Sequence, residues 1–165
     1  MRKCVFLFLF FLVIISCKEE AAKEVEVEEV PGSFSIQDYS KLQELAPDAT
    51  EIVSSWPEFM AMENSMDVLK RASNTEDLKL AIEDLIEKEK ALAESSYPKT
   101  FDILQIRSRQ QLLRTFLYKV KGNLMDSREI NESMEELITA YNAFKKQLNS
   151  ISEKSLDVQL ILNED

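Results

Sequence analysis

Few residues in this 165-residue chain combine the types and spacings that chemistry needs, and the types it lacks narrow the choice at once. There is no histidine, and the cysteines are two, Cys4 and Cys17. Histidine-assisted nucleophilic catalysis, histidine-ligated zinc, histidine phosphotransfer, Cys-x-x-Cys-His haem attachment and Glu-x-x-His di-iron sites are excluded on that ground. With Gly32 and Gly122 the only glycines, no glycine-rich loop exists to cradle phosphate.

Four constellations remain. Arg107, Arg114 and Lys121 recur every seven residues, with Arg109 and Lys119 beside them. Such a stripe either binds anions, such as polysaccharide or lipid head groups, or pairs with acids inside the fold. The segment before it is acidic, with Glu83, Glu87 and Glu94 among seven acids against three lysines between Ser73 and Glu94. Internal pairing is the preferred reading. Met60, Met62 and Met66 offer soft sulfur, but Met60 lies about 200° from Met62 around a helix, so packing is the better account. Glu83, Asp84 and Glu87 are too few, on one rigid face, for calcium's ~6–8 oxygens, and no metal is expected. Trp56 and Tyr97, at junctions, read as plugs for the bundle ends, with a ligand platform as the alternative.

The elements that must position these residues are helical. Ile36 to Leu45 reads as a short helix with Tyr39, Leu42 and Leu45 on one face, and Asp48-x-x-Glu51 as a fresh start. Ser55-x-x-Glu58 predicts a capping box with Pro57 in the first turn of a helix from about Trp56 to Ala72, facing inward with Phe59, Met62, Met66 and Leu69. Ser73-x-x-Glu76 starts the next, to about Glu94, with Leu78, Ile82, Leu85 and Leu92. A third runs from about Pro98 to Lys121, using Phe101, Leu104, Leu112, Phe116 and Val120, with Gly122 as its stop. Asp126-x-x-Glu129 opens the last, whose Ile130, Met134, Leu137, Tyr141, Phe144, Leu148 and Ile151 alternate spacings of four and three, a heptad seam. The expected fold is an all-α, up-down bundle of about four helices. Leu156, Val158, Leu160 and Leu162 alternate, so the tail is expected to be extended, folded over the bundle or added as a strand to a partner.

The amino terminus carries the clearest signal. Arg2 and Lys3 precede eleven unbroken apolar residues, Val5 to Ile15. At ~1.5 Å per residue these reach about 16 Å, half of a ~30 Å hydrocarbon core, which fits a signal peptide rather than a span. The run ends at Ile14-Ile15-Ser16-Cys17. This resembles the type II signal peptides of bacterial lipoproteins, which end in an aliphatic residue, a tolerant position, a small residue and cysteine. Leucine is more usual in that class where Ile14 stands. The resemblance implies cleavage before Cys17, a diacylglyceryl thioether on its sulfur and usually an acylated amine. Two or three chains meet the requirement for stable anchoring that one chain does not. Lys18-Glu19-Glu20 is similar to the export signal of Bacteroidota lipoproteins, which implies the outer face of the outer membrane; an ordinary solvated tether is the other reading.

The chain thus divides into a signal peptide (1–16), a lipidated cysteine and acidic tether (17–34) and a helical domain (35–165). Without residues 1–16 two cations and no acid are lost, so the formal charge moves from −10 to −12, which disfavours nucleic acid as a partner. No cofactor is expected, and no arrangement of carboxylates, lysines or tyrosines suggests an enzyme. The expectation is a non-catalytic interaction or structural component of the envelope, held in the bilayer through Cys17 and touching another envelope protein. A ligand-binding or chaperone-like module using a groove is the alternative, although the Leu-Thr-x-x-Gln repeats of periplasmic helical chaperones do not occur.

Overall fold

A computed structural model describes residues 34–162, all within one compact unit. The proposed signal peptide, Cys17, Lys18, Glu19, Glu20 and the rest of the tether before Phe34, including the possible strand at Val25, Val27 and Val30, lie outside the described residues. The described residues are all-helical without a β-strand. Five α-helices follow one 3-10 turn (Ile36–Asp38): α1 Pro47–Val53, α2 Pro57–Leu69, α3 Thr75–Glu94, α4 Leu104–Met125 and α5 Asn131–Leu162.

Consecutive long helices pack on each other, α2 on α3, α3 on α4 and α4 on α5, while α1 lies against α5 and α2. Phe59 of α2 and Phe144 of α5, with ring centroids 6.1 Å apart, close the ring of four long helices. The heptad seam of α5 faces this core: Met134, Leu137, Tyr141, Phe144 and Leu148 are buried, and Ile130 and Ile151 pack at its ends. On α2 the expected Phe59, Met62, Met66 and Leu69 are all buried. On α3 Leu78, Ile82, Leu85 and Leu92 are buried as expected, and Glu89 is buried with them.

Several boundaries differ from expectation, each for a local reason. Ser55 does not cap α2; its hydroxyl donates to the Ile52 carbonyl, and Trp56 precedes Pro57, whose missing N–H is harmless at the first helical position. Asn74, not Ser73, caps α3, accepting from the Asp77 amide at 2.9 Å. Pro98 begins a turn rather than a helix: its carbonyl accepts from the Phe101 and Asp102 amides, and α4 starts only at Leu104. Gly122 does not stop α4, which continues to Met125. The left-handed residue is Ser127 (φ 52°), with the Arg128 amide donating back to Asn123 and the Ser127 amide to Leu124, a Schellman closure. The Glu129 carboxylate accepts from the amide of Asn131, where α5 begins.

The buried face of α4 matches the expected one only in part, with Phe101 before it and Val120 buried and Phe116 packed against the core. Leu104 is 78 % exposed and Leu112 38 %, whereas Ile106, Gln110, Leu113, Leu117, Val120 and Leu124 are buried. A polar residue in the seam, Gln110, breaks the apolar spacing that marks the true face. At the carboxyl end, residues 156–162 continue α5 as helix rather than extending. Nothing in Leu156–Leu162 stops a helix already propagating, and four alternating residues are too short a signal against it.

Candidate functional site

The basic stripe falls on α4, and each cation has an acid of the same chain. Arg114 Nε donates to Glu89 Oε2 at 2.7 Å, Lys121 lies 3.1 Å from Glu83, and Arg107 lies 2.7 Å from Asp102. Two of the three partners belong to α3, so the stripe and the acidic helix neutralise one another across their interface. Glu89 is 1 % exposed and also accepts from the Gln110 amide, so its carboxylate is held by both α4 side chains. That hydrogen bond raises the Arg114 pKa further above its already high ordinary value. Arg107 stacks 4.1 Å over the Tyr97 ring, and Tyr97 lies 4.5 Å from Trp56. Trp56 is buried and its indole N–H donates to Ser95 Oγ at 2.8 Å, so this aromatic pair plugs the core.

The remaining constellations disperse. Met62 and Met66 are buried in the core, and Met60 is 41 % exposed. Glu83 pairs with Lys121, Glu87 with Lys88, and Asp84 with Lys88 and the Ser65 hydroxyl. Among the described residues no group of three or more histidine, cysteine, aspartate or glutamate side chains is placed to hold a metal ion.

Two arrangements were not foreseen. The first is a triad between α2 and α5, with Tyr141 and Lys145 buried and Glu63 half-buried. Tyr141 donates its hydroxyl to Glu63, and Lys145 reaches the other Glu63 oxygen at 2.7 Å and Tyr141 Oη at 3.4 Å. Tyrosine four residues before lysine on one helix face is a pairing that can do proton chemistry when the ammonium lowers the phenol pKa. Here burial, then the charge of Glu63, push Tyr141 well above the ordinary phenol value. The phenol stays neutral and donates to Glu63. Tyr141, Lys145 and Lys70 line, together with residues of the 36–44 segment, an open cleft of about 540 Å³.

The second is that segment. Residues 39–46 run extended along α5 rather than forming the expected short helix. Ser40 N–H donates to Glu135 at 3.0 Å, Gln43 N–H to Asn142 Oδ1 at 2.7 Å and Ala46 N–H to Asn149 Oδ1 at 2.8 Å. The two amides also donate back, Asn142 Nδ2 to the Lys41 carbonyl at 2.9 Å and Asn149 Nδ2 to the Glu44 carbonyl at 3.0 Å. Glu135, Asn142 and Asn149 are seven residues apart on α5, and their partners three apart on the strap. Seven helical residues rise about 10.5 Å, and three extended ones about 10 Å, so the registers match. Ile36, Tyr39, Leu42 and Leu45, also three apart, pack against the core. A strict spacing of three distinguishes them from a helical face, which alternates three and four.

A shallow apolar groove of about 490 Å³ lies between α4 and α5, lined by Leu112, Phe116, Ala140 and Ala143 with Arg109, Glu132 and Glu136 on its rim. No helix among the described residues is long and apolar enough to cross a membrane. The geometry defines an all-α protein with a closed, ion-paired core and a side-chain-zipped strap. No protein-family model matches the chain, and no curated protein or solved structure matches it.

Proposed function

We propose that the chain is an exported lipoprotein held in the outer membrane by acyl chains on Cys17, facing outward through Lys18-Glu19-Glu20, whose helical domain is a non-catalytic interaction component of the envelope. The observation that carries this reading is the sequence itself: eleven apolar residues ending at Ile14-Ile15-Ser16-Cys17. We read the long helices as up-down. In support, Glu89 pairs with Arg114 and Glu83 with Lys121, so numbers fall on α3 as they rise on α4, the pattern of antiparallel neighbours. The non-catalytic part is supported by the titratable groups of the core, Glu89, Glu63 and Lys145, each bound to a partner, and by a phenol held neutral at Tyr141.

Crosslinking in intact cells followed by recovery of the chain tests the interaction role. Reproducible recovery of one envelope protein is the expected outcome, and recovery of none refutes it. A second reading, a ligand-binding module, draws on the apolar groove of Leu112, Phe116, Ala140 and Ala143. A bound apolar molecule detected by native mass spectrometry, with no protein partner recovered, would favour it.

A further inference from the structure

The strap is gripped mainly by its backbone. Asn142 and Asn149 each hold one N–H and one carbonyl of an extended chain, and Glu135 takes a third N–H. A carboxamide offers one acceptor and two donors, so it satisfies an extended backbone as a neighbouring strand would. Such bonds do not read side-chain identity. What the groove reads is a repeat: one apolar residue in three, here Ile36, Tyr39, Leu42 and Leu45, half-buried, while Gln37, Lys41, Gln43 and Glu44 point to solvent. Side-chain identity enters twice, through the Ser40 hydroxyl on Glu135 and the Tyr39 hydroxyl, which donates to Asn131 Oδ1 at 2.8 Å.

The occupant is also only lightly held. None of the four inward residues is fully buried, and no residue of 39–46 belongs to a helix or strand. A segment with exposed backbone bonds and little buried apolar area opens locally at far lower cost than the core. An opening frees Glu135, Asn142 and Asn149 for another backbone, while Tyr141 and Lys145 of the same helix keep their own bonds to Glu63.

We propose that the Glu135/Asn142/Asn149 face of α5 is a binding site for an extended polypeptide segment of another protein with an apolar residue at every third position, and that residues 36–46 are its resident, exchangeable occupant. This rests on the interaction role proposed above and supplies its site and partner class. In cis the strap acts at roughly millimolar effective concentration, so a partner must compete with it, and the site is largely masked until the strap lifts.

A labelled synthetic peptide of residues 34–46 is the probe, titrated against the full chain. Leu42→Asp places a charge in the strap's inward row and leaves the α5 face unchanged. With helical circular dichroism retained, the L42D chain is expected to bind the peptide at least about tenfold more tightly than the wild type. Adding Asn142→Ala and Asn149→Ala is expected to reverse that gain by about tenfold or more, as is a peptide whose apolar residues are moved out of the three-residue register. Equal peptide binding by L42D and wild type overturns the proposal. Should L42D lose helicity, hydrogen exchange on the wild type decides. The Ser40, Gln43 and Ala46 amides are expected to exchange at least about a hundredfold faster than that of buried Leu148, and exchange at one common rate overturns it. Failure of the interaction role registers elsewhere, as the absence of any crosslinked envelope protein, and does not alter these titrations.

Discussion

Glu89 would be costly as a lone carboxylate at 1 % exposure, and it is tolerated because Arg114 and Gln110 both donate to it. Removing a partner from a buried charge costs more than the pair contributes, since the remaining charge keeps its desolvation penalty. Arg114 is itself 38 % exposed, which discounts the effect. Arg114→Ala is therefore expected to lower the urea unfolding free energy by roughly 2–3 kcal/mol. Lys121→Ala, on the same stripe, removes a pair whose acid is 58 % exposed, and is expected to cost below about 1 kcal/mol. Equal losses would show that burial of the acid is not what separates these pairs. The stripe was legible in the sequence as a row of cations facing an acidic helix; Glu89 as the central partner was not, because one acid among seven carries no mark of burial. The Tyr141–Lys145–Glu63 triad was hidden similarly, since Tyr141 reads as an aromatic seam residue and Glu63 lies on another helix.

At the scale of elements, strap and helix ends set the testable limits. Ser127 takes the left-handed conformation that closes α4, a position glycine fills without the Cβ clash. Ser127→Gly is expected to raise stability by roughly 0.5–1 kcal/mol, and a measured loss would contradict the assigned closure. The Glu135 carboxylate is held below its ordinary pKa, first by the Ser40 hydroxyl and then by the Ser40 amide. Its folded pKa being the lower, its contribution is present above the unfolded value of ~4.3 and is lost as pH falls through the folded value. The Ser40 amide is accordingly expected to lose exchange protection as pH falls below about 4, after correction for intrinsic rates, with the core of α5 unaffected. The seam of α5 and the faces of α2 and α3 could be read from period alone, because apolar residues recur at most inward positions and the buried Ser65, Glu89 and Lys145 fall between them. For α4 the same method found Phe101 and Val120, both buried, and Phe116, which packs on the core. It missed at Leu104 and Leu112, since Gln110 occupies a core position and those two leucines stand outside. The strap was misread as helix because spacings of three occur in both, and only the Asn142–Asn149 spacing on a distant helix hinted at its partner.

For the whole molecule, the proposed role is contact with another protein. In that proposal the five helices supply the body, and α5 the face on which another chain displaces the strap. The proposed anchor at Cys17 decides where this body works. The most direct measurement is incorporation of a radiolabelled fatty acid into the wild-type chain and Cys17→Ala, expressed in a bacterium able to process lipoproteins, with the membrane and soluble fractions separated. Label is expected in the membrane-bound wild type and none in C17A, which is expected to lose stable membrane attachment. Undiminished label in C17A, or an unlabelled wild type, would contradict the anchor.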